Sequence, residues 1–311
     1  MGKTLVLGAN GFIGSHLVDT LARRGDDVVA FIRSGSRPKW QHSKGVEVFY
    51  GDFLNRSDLQ ACLNDVDYVY HFISTSTPAT TENDPIIDID TSVRMSVEFF
   101  QLCIDSGVKH VFFASTGGSI YGDNPNPPYS ENDQTLPFSP YAIGKLSVEN
   151  YLRYFKKKYG LSSTIFRISN PYGERQPFHR KQGVVPIFIE NIYRGRPITV
   201  YGDGTMVRDY IFVTDVAEII AGIGVEGSKY GVYNLGSGEG VSLSTIIKTA
   251  EEVVGKKAQI EYLPSPSTFV HTAILDTHRL QEEFPIRVLT NIEDGMRMTF
   301  RYIKEFVDHE K

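Results

Sequence analysis

Tyr141 stands four residues before Lys145 in the stretch "SPYAIGKLSVEN", residues 139 to 150. Residues i and i+4 of an α-helix are stacked neighbours, so the lysine charge can sit near the tyrosine oxygen. A cation there favours phenolate over phenol; an unperturbed tyrosine, with a pKa near ~10, is too weak an acid to supply a base at neutral pH. The same spacing also suits a tyrosine packed on a core with its lysine in water, so the pair takes its meaning from the rest of the chain. A second stretch, "VLGANGFIGSHLV", sets Gly8, Gly11 and Gly14 directly after a β-branched run and at the mouth of a helical one. Glycines there permit a tight turn and let backbone approach a pyrophosphate, whose charge meets free N–H groups at the helix N-terminus.

Strand-like and helix-like runs alternate through the first half: 4–9, a helix over 12–24, 27–32, 46–51, a helix near 56–63, 66–72, a helix over 86–106, and 110–115, with 162–169 continuing the series after the Tyr141 helix. Strand, helix, strand at these lengths predicts right-handed parallel crossovers and a doubly wound α/β sheet with helices on both faces. Beyond Asn170 the rhythm turns to Gly- and Pro-rich loops with shorter elements between them. We expect a dinucleotide-binding domain over residues 1–168 with a return segment at about 209–235, and a smaller α/β substrate-binding domain over 169–208 and 236–311. In such a sheet the second strand ends near an adenosine ribose, where an acid accepts from the 2′-hydroxyl of NAD. Here that end reads "FIRSGSR", and Arg33 with Arg37 suits a 2′-phosphate, so NADP stays open beside NAD. Asp52, in "GDF" with Phe53, follows the third strand at a place from which it can reach an adenine amine.

The chain has 311 residues, 41% hydrophobic and 22% charged, the profile of a soluble globular protein of one large or two intermediate domains. Its net charge of -5 is spread among interleaved acids and bases, which excludes a phosphate-tracking basic surface and predicts no nucleic-acid partner. No apolar run approaches the ~20 residues of a membrane span, so a cytoplasmic protein without a membrane partner is expected. Cys62 and Cys103 lack any metal or redox spacing and read as packing residues; no metal site is expected.

The glycine motif, "GDF", "STGGSIYGD", Y-x-x-x-K, "RISNPYGERQ" and "VRDYIFVTDVA", in this order over residues 3 to 300, resemble the extended short-chain dehydrogenase/reductase superfamily in its nucleotide-sugar epimerase/dehydratase branch. The resemblance implies a Rossmann fold in which Tyr141 is the catalytic acid/base and Lys145 its pKa tuner and ribose ligand. It also implies dinucleotide contacts at Gly8, Gly11, Phe12, Ile13, Gly14, Arg33, Arg37, Asp52, Phe53, Phe72, Ser74, Ser92, Tyr141, Lys145 and Ser169. A nucleoside-diphosphate sugar would meet Thr116, Tyr141, Asn170, Val184, Val185, Val200, Tyr201 and Arg208.

Members of the branch that eliminate water or carbon dioxide carry an acid after the loop hydroxyl, where this chain has Gly117 and Gly118. Their chemistry is therefore disfavoured. The serine that 4-epimerases place in this loop aligns with Gly117, so the hydroxyl is expected from Thr116, with Ser115 and Ser119 behind it. The late R-x-x-D that usually grips the nucleotide is represented by Pro266 and Phe269. Arg175, His179, Arg180 and Lys181 share one loop and are candidates for the missing charge. The resemblance implies a homodimeric 4-epimerase of nucleotide sugars, with an NADPH-dependent 4-ketoreductase as the alternative and a non-catalytic dinucleotide sensor as a third reading.

Overall fold

A computed structural model describes residues 2–178, 183–226, 228–266, 269–284 and 288–309. In chain order the elements are β1 (Lys3–Leu7), α1 (Phe12–Arg24), β2 (Val28–Ile32), β3 (Val46–Tyr50), α2 (Arg56–Ala61), β4 (Val66–His71), α3 (Pro78–Thr81) and α4 (Pro85–Asp88). A π-helical turn (Ile89–Val93) leads into α5 (Arg94–Asp105), followed by β5 (His110–Thr116), α6 (Pro140–Tyr159), β6 (Ser162–Ile168) and β7 (Asn170–Tyr172). The remainder comprises α7 (Val184–Arg194), β8 (Ile198–Tyr201), β9 (Val207–Phe212), α8 (Val213–Glu226), β10 (Val232–Leu235), β11 (Gly240–Ser242), α9 (Leu243–Val254), β12 (Ile260–Leu263), β13 (Thr272–Ala273), α10 (His278–Glu283) and α11 (Ile292–His309). The helix expected over 86–106 is present without a gap, and it carries a π turn whose wider winding re-aims the side chains that follow.

Seven strands form one sheet in the order β10-β6-β5-β4-β1-β2-β3, and the pairs from β3 to β5 are parallel. β1 lies between β2 and β4, so the winding reverses there, and the loops after β1 and β4 open at the switch point where ligands of such sheets bind. β2 is buried along its whole length, as a strand covered on both faces must be. Leu5, Leu7, Phe31, Phe99, Phe100, Phe113 and Leu152 pack the core beside it, with both cysteines, free and buried, among them.

The chain divides into two compact units, residues 1–116, 137–167 and 217–233 in the first, and 117–136, 168–216 and 234–311 in the second. Two boundaries differ from those expected. Residues 117–136 belong to the second unit, because Tyr121 donates to Asn234 Oδ1 at 2.6 Å and Tyr129 donates to the Thr272 carbonyl at 2.9 Å. Residues 209–216 also belong there, since β9 pairs with β7, β11 and β13. The second unit has its own core of Phe188, Ile189, Ile198, Val200, Phe212, Ile246, Met296 and Ile303. Among the described residues no helix is long and apolar enough to cross a membrane.

Candidate active site

The glycine turn is built for close approach. Gly8 has φ 81°, a left-handed value, and a Cβ on it would lie 2.8 Å from the Phe72 carbonyl. A Cβ on Gly14 would overlap the Gly8 carbonyl oxygen. α1 begins at Gly11 with no side-chain cap and no acid in its first turn, so the N–H groups of Phe12, Ile13 and Gly14 face outward unneutralised. Donors, helix dipole and absent side chains fit the pyrophosphate of a dinucleotide. Asn10, which the sequence reading passed over, ties this turn to the loop after β2. Its amide donates to the Arg37 carbonyl at 2.8 Å and its carbonyl accepts from Lys39 N at 2.9 Å.

Arg33, Arg37 and Asp52 are exposed, while Phe53 is buried edge-on against His71 at 5.5 Å. Ser74 donates to the Ser76 carbonyl at 2.8 Å, and Ser92 lies 2.8 Å from the Thr75 hydroxyl. In the second unit Ser169 is buried, and its Oγ has no partner among the described residues.

α6 starts where Ser139 caps the Ala142 N–H and Pro140 presets the first turn, and it ends at Gly160, φ 77°, after three lysines. Tyr141 and Lys145 therefore share a face. The Lys145 ammonium lies 5.8 Å from the Tyr141 ring centroid and 4.9 Å from that of Phe113, and it donates to the Ala114 carbonyl at 3.0 Å. Burial pulls it down to about 8 while Asp88 and Glu149 pull the other way. The phenol departs from expectation. Burial and then the negative charge of Asp88 push Tyr141 up to about 12, where the spacing predicted a lowered value. A cation four residues away is outweighed by loss of water and by a carboxylate that no spacing rule would find.

The three candidate hydroxyls separate. Ser115 is buried and donates to Glu149 Oε1 at 2.6 Å, and Glu149 is gripped by Arg167 at 2.8 and 3.2 Å. The Ser115 hydroxyl is thereby engaged in a buried network. Thr116, the next residue on β5, faces the other way by strand alternation and is half-buried. Ser119 is half-buried in the second unit.

Within that unit Asn170 lies beside Gly118, 3.6 Å from where a Cβ would stand, and donates to the Asp209 carbonyl at 3.1 Å. Arg208 spends its guanidinium on the carbonyls of Val207, Val270 and His271 at 2.5 to 3.1 Å. Val185 and Val200 are core residues, so a ligand contact of theirs would have to come through the backbone. Tyr201 is 41% exposed, with its ring edge-to-face with Phe269 at 5.8 Å, and Val184 is partly exposed. Arg175 is half-buried; His179, Arg180 and Lys181 lie outside the described residues.

Residues 4–236 match the model of the NAD dependent epimerase/dehydratase family. The chain belongs to that family. Another protein similar to this family member is the dTDP-4-dehydro-6-deoxyglucose reductase of Escherichia coli, 31% identical over 96% of this chain and 97% of its own. Among solved structures, a UDP-glucose 4-epimerase of Thermotoga maritima with UDP-glucose shares 32% identity at TM-score 0.91, covering 98% and 99% of the two chains. A UDP-glucose 4-epimerase of Thermus thermophilus in complex with NAD shares 32% at TM-score 0.90, covering 97% and 99%.

Proposed function

We propose that this family member is a nucleotide-sugar 4-epimerase that works through a bound NAD, with a UDP-hexose or its N-acetyl or uronic acid form as substrate. The observation that carries the reading is the Tyr141–Lys145 pair on α6, in the same unit as a glycine turn shaped for a dinucleotide. The likeness to UDP-glucose 4-epimerases over nearly the whole chain supports it.

In this reading Gly8, Gly11, Phe12, Ile13 and Gly14 hold the pyrophosphate, and Lys145 holds a ribose. The dinucleotide, when bound, supplies a hydride acceptor and gives the same hydride back. Tyr141 takes the proton from the sugar 4-hydroxyl as the C4–H bond breaks, and the carbon becomes a ketone. After the sugar turns, Tyr141 returns the proton to the same oxygen as the C4–H bond re-forms on the opposite face. Thr116 donates a hydrogen bond to that oxygen, and Asn170 and Arg208 serve the diphosphate. The second role falls to the Arg208 N–H groups that the three backbone carbonyls leave over. Gly117 and Gly118 bring no acid, which disfavours elimination and decarboxylation.

A 4-ketoreductase is the second reading. It is favoured by the Escherichia coli reductase and by Arg33 and Arg37, exposed where an acid would select NAD. Denaturing the purified protein and identifying what dissociates separates the two. Stoichiometric NAD supports the epimerase, whereas an empty site together with oxidation of added NADPH by a 4-keto-sugar nucleotide replaces it with the reductase.

The proposal includes a cytoplasmic homodimer that supplies precursors for polysaccharides. α6 exposes Ile143, Tyr151 and Tyr154 at 42–48%, and Ile86, Ile87 and Ile89 are exposed in the helical segment before α5. The apolar run of α5 is mostly core, so the face expected from it is smaller than its sequence promised. A monomeric mass by light scattering at micromolar concentration would remove the dimer.

A further inference from the structure

Asp88 is 3% exposed, a charged residue inside the first unit that none of the motifs singles out. It ends α4, and the π turn that follows packs against α6. Its Oδ1 accepts from the buried hydroxyl of Ser76. Its Oδ2 rests on the backbone of α6 at Gly144, where any Cβ would overlap it. Gly144 is thus a glycine in a helix interior, a residue that costs helix stability relative to alanine, placed where a carboxylate must pass.

Asp88 and Lys145 line one cavity of about 10 Å³, together with Thr75, Ser92 and His71. That volume holds one water at most. The hydroxyls form a connected wall, with Ser76 3.3 Å from Ser92, Ser92 2.8 Å from Thr75, and Thr75 2.7 Å from Thr91.

We infer that Asp88 is a positioning residue for the proton-handling pair, the carboxylate of α4 that shares a cavity with the Lys145 ammonium and serves as its counter-charge. The inference rests on the reading of Tyr141 and Lys145 as that pair. The charges around Asp88 leave it this role. On β4, His71 is neutral, pushed down to about 3 by burial among Phe53, Phe99, Phe100 and Phe113. On α6, Glu149 already has Arg167 as its partner, so its negative charge is largely spent. Asp84 and Asp90, on the segment that carries Asp88, are exposed to water. Burial first and Asp88 second raise the Tyr141 phenol, which must give up its proton before it can take one from the sugar.

Asp88→Asn keeps the shape and removes the charge. The direct readout needs no turnover: competitive acetylation of Lys145 with acetic anhydride across pH, followed by mass spectrometry, gives the lysine's own midpoint. We expect a midpoint near 8 in the parent protein and a fall of about 1 unit in Asp88→Asn. Ser76→Ala, which removes a hydrogen bond and leaves the charge, should leave the midpoint in place. Where the protein turns over UDP-galactose, both limbs of its pH–rate profile should move to lower pH in Asp88→Asn, because losing a negative charge lowers every neighbouring pKa. An unmoved lysine midpoint in Asp88→Asn, or an equal move in Ser76→Ala, would overturn the inference. If Asp88→Asn does not fold, the parent titration decides: a midpoint below 7 would show an ammonium without a counter-charge, and one near 8 or above supports the inference. A shifted lysine in a protein inactive on UDP-galactose, UDP-N-acetylgalactosamine and UDP-galacturonic acid alike would overturn the proposed activity and leave Asp88 in its role.

Discussion

Arg167 and Lys145, two cations of the first unit, one buried and one half-buried, live in opposite circumstances. Arg167, on β6, is 2% exposed and meets Glu149 through two hydrogen bonds, with Ser115 satisfying the same carboxylate. Every charge in that network is matched. Lys145, on α6, has one carbonyl as its hydrogen-bond acceptor, rings on two sides, and Asp88 across a small cavity. Its ammonium is held at a cost, and burial has pulled it down to about 8. A saturated network stabilises a fold and resists change, whereas a charge kept under-solvated is poised to respond to a ligand. The contrast places Ser115 in the saturated network, while Thr116, adjacent on β5, stays the proposed catalytic hydroxyl.

The largest effect should come from the group beside the poised cation. Tyr141→Phe keeps the ring and its packing, so the fold should be unaffected, while turnover falls by at least ~10²–10⁴-fold, the usual contribution of a general base. Steady-state kinetics on UDP-galactose, with circular dichroism as the control for folding, reads both.

The same replacement at the two cations should act with opposite signs. Arg167→Met leaves the Glu149 charge buried and unpaired and should cost about 3–5 kcal/mol in urea unfolding. Lys145→Met removes an ammonium that the fold disfavours and should stabilise the cofactor-free protein by about 2 kcal/mol at pH 7, while abolishing activity. The sign follows from linkage. Lys145 releases its proton at about 8 in the folded chain against an ordinary 10.5, so between those values the unfolded chain binds more protons and stability rises with pH. That rise should be missing from Lys145→Met. Two losses of stability would erase the distinction between the cations.

Smaller and sharper is the comparison on β5. Thr116→Ala should slow turnover by ~10–10³-fold with little change in stability, since one hydrogen bond to the reacting oxygen is lost. Ser115→Ala should do the reverse, leaving turnover within about twofold and costing about 1.5–3 kcal/mol for a hydrogen bond to a buried carboxylate. If Ser119→Ala is crippled and Thr116→Ala silent, the serine beyond the two glycines supplies the hydroxyl.

Much of this was legible in the sequence because its signals are local. The glycine turn, the i,i+4 pair and the alternation of runs each depend on a few neighbouring residues, and the sheet and the first-unit site follow from them. Glu149, four residues beyond Lys145, was passed over, because its partners Ser115 and Arg167 come from β5 and β6. Asp88 was not: its place depends on a π turn and on a missing side chain at Gly144, 56 positions away in the chain, and no periodicity joins them. The raised Tyr141 value follows from the same omission, because spacing reports neighbours along a helix and says nothing of burial. The burial of Val185 and Val200 was hidden for the converse reason, since a motif position does not reveal which way a side chain turns.

Epimerisation at C4 with internal return of hydride is the central claim, and one measurement reaches it most directly. The protein as purified, with no cofactor added, is incubated in D₂O with UDP-galactose, UDP-N-acetylgalactosamine and UDP-galacturonic acid in turn, and the products are followed by proton NMR. The account predicts conversion of at least one of them to its 4-epimer, with the product carrying protium at every ring carbon. Deuterium on a ring carbon, or no 4-epimer from any of the three while added NADPH is consumed by a 4-keto-sugar nucleotide, would contradict it.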